Sequence, residues 1–140
     1  MTLHLHDRKE GVTVLLEAEQ LDEHKFRLQE NHLFDRRLVR GTEIEVNPVD
    51  GENYEFLSVC KVSDLITRRF ILSTEYSESD YLFLGSELEK YGGFWQLDLD
   101  RFLTINIPRD LPFDLDQVMS ELNIDLQEDV DHQGLGSLPT

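Results

Sequence analysis

Cations are scarce in this sequence, 13 Lys and Arg against 29 Asp and Glu, so any place where they gather deserves a chemical reading. Arg36, Arg37 and Arg40 crowd ahead of Gly41, and Arg68 and Arg69 stand side by side further on. A guanidinium presents a planar fork that takes a carboxylate or phosphate through two parallel hydrogen bonds. Arg36, Arg37, Arg40 and Arg68 therefore form a candidate anion-binding set, with His32 and Tyr54 as further lining of a pocket between the two halves of the chain. The competing expectation is that these arginines neutralise neighbouring acids in salt bridges.

The acids make the opposite kind of site. Residues 1–41 hold 7 basic and 8 acidic side chains, whereas residues 42–140 hold 6 and 21. Beyond Arg109 there is no Lys or Arg, and Asp125, Glu128, Asp129 and Asp131 fall in that stretch. These four are the candidate acidic face for a basic protein partner. A formal charge of −16 excludes nucleic-acid binding through a basic footprint.

Other chemistries lack their residues. His4 and His6 would share one face of a strand, but no Cys pair, His-x3-His or Glu-bearing motif accompanies them, so no metal is expected. Cys60, the lone cysteine, reads as a small buried hydrophobe among Phe56, Val59 and Val62. Gly92-Gly93 ends a helix instead of opening one, so there is no phosphate cradle, and no Gly-x-Ser-x-Gly elbow occurs. Asp98 and Asp100 read as the solvated face of a strand rather than an acid/base pair. No catalytic residue and no cofactor is expected, and the chain reads as a non-enzyme.

The elements that must position these residues follow from periodicity. Val12, Val14 and Leu16, then Phe26 and Leu28, then Ile44 and Val46 alternate with polar neighbours as strands do. Asn47 to Gly51 supplies turn residues before an extended stretch from Tyr54 to Val62. After a strand over 69–72, Tyr81, Leu84, Leu88 and Tyr91 recur at helical spacing, with Ser77 and Asp80 as a capping box variant and Gly92 as the stop. Strands over 94–99 and 102–107 precede a second helix, for which Asp114 is the N-cap, Phe113 the staple, and Leu115, Val118, Met119 and Leu122 the apolar stripe. A closing strand is placed over 124–126.

The order is α+β: an antiparallel N-terminal sheet or partial barrel, followed by a ferredoxin-like (split βαβ) half with two helices. The expected division is a β-rich half over 1–66, a ferredoxin-like half over 67–130 and a flexible tail over 131–140. His4, His6 and Asp7 stand where a secretory leader needs apolar residues, and no run approaches the ~20 apolar residues of a membrane span. A cytoplasmic protein without membrane contact is expected.

Several of these residues also occur together elsewhere. Phe26-Arg27-Leu28, Asn31-His32-Leu33-Phe34, Gly41, Val46-x-Pro48, Asp50-Gly51 and Phe56, with Ser63, Thr67, Arg68 and Ile71-Leu72, resemble a family of small bacterial proteins of unknown function. Gly92, Ile107-Pro108 and Leu122 extend the likeness over about residues 17–122. The resemblance implies the fold and a bacterial cytoplasmic setting, and no activity.

Three functions are compatible with these readings. The first is a non-enzymatic protein that binds a basic macromolecule. The second is a domain, or a minor enzyme, that takes an anionic small molecule in a pocket between the halves. The third is an immunity- or antitoxin-like protein that masks a basic partner.

Overall fold

The computed structural model describes residues 1–8, 11–33, 35–72, 78–110, 114–121 and 126–129. The chain divides into two units, Met1–Leu65 and Ile66–Thr140. In the first, the period-two alternation becomes five strands: β1 (Thr2–Asp7), β2 (Val12–Asp22), β3 (Lys25–Leu28), β4 (Glu43–Asp50) and β5 (Asn53–Lys61). They close into a barrel in the order β1-β2-β3-β4-β5. Successive strands run antiparallel, and because five is odd the first and last must run the same way. β1 accordingly meets β5 in parallel, with Leu5 opposite Tyr54 and His6 opposite Glu55. Leu3, Leu5, Leu16, Phe26, Leu28, Ile44 and Val46 fill the interior.

The sequence reading of the first unit needs three corrections. β1 is a full strand and supplies the closure. The turn is tighter than Asn47 to Gly51, since pairing persists to Asp50 opposite Asn53 and leaves only Gly51 and Glu52 to reverse the chain. Cys60 is exposed. The cause is a pair of register shifts: Ile44 lies opposite Val59 but Glu43 opposite Lys61, so Cys60 is the extra residue of a bulge, as Leu57 is of the next one. Each bulge turns its residue out of the alternation, and Leu57 is exposed as well.

The second unit holds β6 (Leu65–Ile71), α1 (Glu78–Lys90), β7 (Phe94–Asp98), β8 (Phe102–Pro108), α2 (Leu115–Glu121) and β9 (Gln127–Glu128), in a four-stranded sheet of order β7-β8-β6-β9. One face of that sheet gives Phe70, Leu103, Ile105 and Ile107 to a core shared with Leu84 and Leu88 of α1 and Leu115 and Met119 of α2. Gly85 lets α1 lie close to β7, because a Cβ there would stand 2.5 Å from the Trp95 ring. Asp114 caps α2, its Oδ1 accepting from the Gln117 N–H at 3.1 Å, and Asp116 sits in the first turn, where the helix dipole favours an acid. The architecture is α+β with mostly antiparallel sheets. Phe34, Ser77, Phe113, Leu122, Ile124, the acids Asp125 and Asp131, and the tail over 131–140 lie outside the described residues. Among the described residues no helix is long and apolar enough to cross a membrane.

One alternation reading is also corrected in this unit. β7 ends at Asp98, and Leu99 and Asp100 both take φ of 55° in the turn to β8, so Asp98 and Asp100 do not share a strand face. Thr104 and Asn106, which alternate with Leu103, Ile105 and Ile107 along β8, are 1% and 0% exposed.

Candidate functional site

Three of the four candidate arginines lie in the segment between β3 and β4 of the first unit, and its conformation rests on buried polar side chains. Asn31, Thr42 and Ser63 are each buried. The Asn31 Oδ1 accepts from the Arg40 N–H at 2.9 Å, the Thr42 hydroxyl donates to the Arg37 carbonyl, and the Ser63 hydroxyl donates to the Arg40 carbonyl at 2.6 Å. Ser63 also accepts from the Leu65 N–H. Gly41 closes the loop at φ 94°, its N–H bonded to the Leu28 carbonyl. Each of these groups would cost about 1–3 kcal/mol if buried without a partner, so together they fix one conformation.

On that frame Arg37 turns back onto its own loop. Its backbone N–H and Nε reach Asp35 Oδ1, its Nη2 reaches Asp35 Oδ2 at 2.8 Å, and its guanidinium lies over the Phe56 ring, 5.2 Å from the centroid. Burial of Asp35 disfavours its charge, but the hydrogen bonds and charge of Arg37 together outweigh it and hold the carboxyl below the usual carboxylate range. Arg40 donates from Nη1 to the Gln29 carbonyl. Arg36 is half-buried.

Arg68 belongs to the second unit and joins three of its elements. From β6 it holds Glu128 of β9 through Nε and Nη2 at 2.9 and 2.7 Å, and Asp116 of α2 through Nη1 and Nη2 at 3.2 and 3.0 Å. Its guanidinium also lies over Phe70. The hydrogen bonds and then the charge of Arg68 lower the Glu128 carboxyl, against burial and the nearby Asp116. Of the candidate acidic face, Glu128 is thus tied to Arg68, and Asp129 follows β9 with its N–H on the Arg69 carbonyl.

The structure adds a polar group that sequence reasoning missed. Arg69 is buried and donates from Nη1 to the Thr104 hydroxyl at 3.2 Å, while Asn106 donates to the Thr67 hydroxyl at 2.8 Å. These residues occupy the sheet face away from the apolar core. The available signal was their chemistry: Thr104 and Asn106 are neutral hydrogen bonders, which can be buried when paired, whereas a solvated strand face in so acidic a chain would carry charge. His6 bonds to Thr13 and His4 lies 3.9 Å from Glu52. Among the described residues no group of three His, Cys, Asp or Glu side chains is placed to hold a metal ion.

No family model matches the chain, and no curated protein matches it. Among solved structures, the crystal structure of a hypothetical protein from Neisseria gonorrhoeae is similar, with a TM-score of 0.62 over 91% of this chain and 92% of that chain at 19% identity. At that identity the likeness shows the fold alone.

Proposed function

We propose that this chain is a non-enzymatic binding protein that meets a basic macromolecule through the carboxylates its own cations leave over. The supporting observation is how the cations are used. Arg27 lies between Glu19 and Glu43 at 2.8 and 3.0 Å, Arg37 is clamped on Asp35, Arg68 on Glu128 and Asp116, and Lys90 on Glu87. Acids such as Glu23, Asp100 and Glu121 stay exposed. The approaches of His4 to Glu52 and of Lys61 to Asp64 are long, at 3.9 and 3.7 Å, and leave those two acid side chains 86% and 85% exposed. A surface of this kind steers a basic partner and repels anionic ones.

The proposal extends to the setting and the second unit. A family of small bacterial cytoplasmic proteins remains our reading of the residues that carry that resemblance. A ferredoxin-like second unit is supported by its order of strand, helix, strand, strand, helix, strand and by the sheet order β7-β8-β6-β9. A second functional reading, an anionic ligand held by the loop of Arg36, Arg37 and Arg40, is favoured by the three buried polar side chains that fix that loop.

The test is association with a basic protein captured from a bacterial lysate, followed as a function of salt, for the natural chain and for a variant with Glu52→Gln, Asp64→Asn, Asp125→Asn and Asp131→Asn. The expected result is an association rate that falls with ionic strength and falls again in the variant. A rate indifferent to both would overturn the acidic reading, and binding of inorganic phosphate or a small carboxylate that is lost on Arg36→Ala with Arg40→Ala would favour the loop.

A further inference from the structure

Helix α1 carries apolar residues on its outward side as well as its inward one. Successive residues advance by 100° around an α-helix, so Leu84 and Leu88, which are buried in the core, and Gly85, which lies against Trp95, fix the inward side. Leu82 and Phe83 fall outside that arc and are 43% and 56% exposed. A helix whose only partner was this core would carry polar residues there, as it does at the exposed Ser86 and Glu89. An adjacent Leu and Phe left in water instead mark a contact surface.

The charge around them selects the occupant. Residues 78–90 carry four acids, Glu78, Asp80, Glu87 and Glu89, against the single Lys90, and Lys90 is held by Glu87. The second unit as a whole has 15 acidic and 5 basic side chains, a formal −10. A second copy of this chain would bring the same charge against itself, and an anionic lipid surface would be repelled in the same way. A basic amphipathic segment gains on both counts, laying apolar side chains on Leu82 and Phe83 and cations among the acids, as helix-in-groove recognition does.

We infer that the outer face of α1, centred on Leu82 and Phe83, is the docking site for a basic amphipathic helical segment of a partner protein. The inference rests on the acidic-binder reading and adds to it a place and an apolar requirement.

The test uses two labelled peptides of equal positive charge, an oligolysine and an amphipathic lysine–leucine helix, titrated with the full chain and read by fluorescence anisotropy. The lysine–leucine peptide should bind at least about tenfold more tightly than the oligolysine. Leu82→Ser with Phe83→Ser should erase that advantage while leaving oligolysine binding and the melting temperature unchanged, and Phe83→Ser alone should erase part of it. An equal affinity for the two peptides, or an advantage that survives in the double variant, overturns the inference while the acidic reading stands. Failure of the oligolysine itself to bind removes both. Sedimentation of the natural chain as a dimer that Phe83→Ser dissociates would assign the face to a second copy and overturn the basic occupant.

Discussion

Replacing Gly41 by alanine should destabilise the barrel more than its change of one methyl suggests. A non-glycine residue in the left-handed half of backbone space costs roughly 1–2 kcal/mol, and Gly41 sits there at φ 94°. The new Cβ would also stand 2.6 Å from the Ser63 hydroxyl, closer than any van der Waals contact allows. That hydroxyl must move, which loosens its bonds to the Arg40 carbonyl and the Leu65 N–H, at about 1–3 kcal/mol for groups left without partners. The sum is about 2–5 kcal/mol. Native-state hydrogen exchange at the Leu28 amide, which is bonded to the Thr42 carbonyl, reads the opening free energy of the first unit directly. Ser63→Ala supplies the other corner of a double-mutant cycle. With the hydroxyl gone there is nothing to collide with, so Gly41→Ala with Ser63→Ala should cost about 1–2 kcal/mol less than the two single changes added. Additive costs, or a Gly41→Ala protein whose Leu28 amide exchanges as slowly as the natural one, would refute the reasoning.

Three further outcomes are read with the lone Trp95 as reporter of the second unit. Asp114→Ala should lower its stability by ~1 kcal/mol through loss of the α2 cap, seen as a lower urea midpoint in Trp95 emission. Leu99→Asn with Asp100→Gly should raise that midpoint by the equivalent of about 1–2 kcal/mol, because both residues have φ of 55°, the turn is closed by the Arg101 N–H on the Asp98 carbonyl, and Asn-Gly takes this conformation without strain. The Glu128 carboxyl is lowered by Arg68, so its contribution is fully present above the unfolded glutamate value of ~4.3 and is lost as pH falls from there through the lowered folded value. The natural chain should therefore lose more stability than Glu128→Gln between neutral pH and mild acid, and equal losses would count against that ion pair.

The elements that the sequence made plain are those whose own residues suffice to specify them. Period-two alternation located β2 to β5, and Asp114 with an apolar stripe located α2, because each signal is local. The closure by β1 was hidden, since what makes Thr2 to Asp7 a strand is its pairing with β2 on one side and β5 on the other. Cys60 was misread because bulges break the alternation on which its burial was argued. The arginines were legible as a group but not in their roles. Arg37 has its carboxylate two residues away, whereas the partners of Arg68 come from α2 and β9, and nothing in residue spacing announces that meeting.

The parallel junction of β1 with β5 sets an order of events for folding. The other neighbouring pairs in the barrel join strands consecutive in sequence, so those pairings need only the connecting segments to close. Leu5 can meet Tyr54 only after the whole meander between them exists, and the entropy of closing so long a loop is met late. Until then the sheet has two bare edges, β1 and β5, each able to accept the other from a neighbouring molecule. The junction is thus expected to form last, and two chains refolding together should exchange strands there, giving a swapped dimer whose yield rises with concentration.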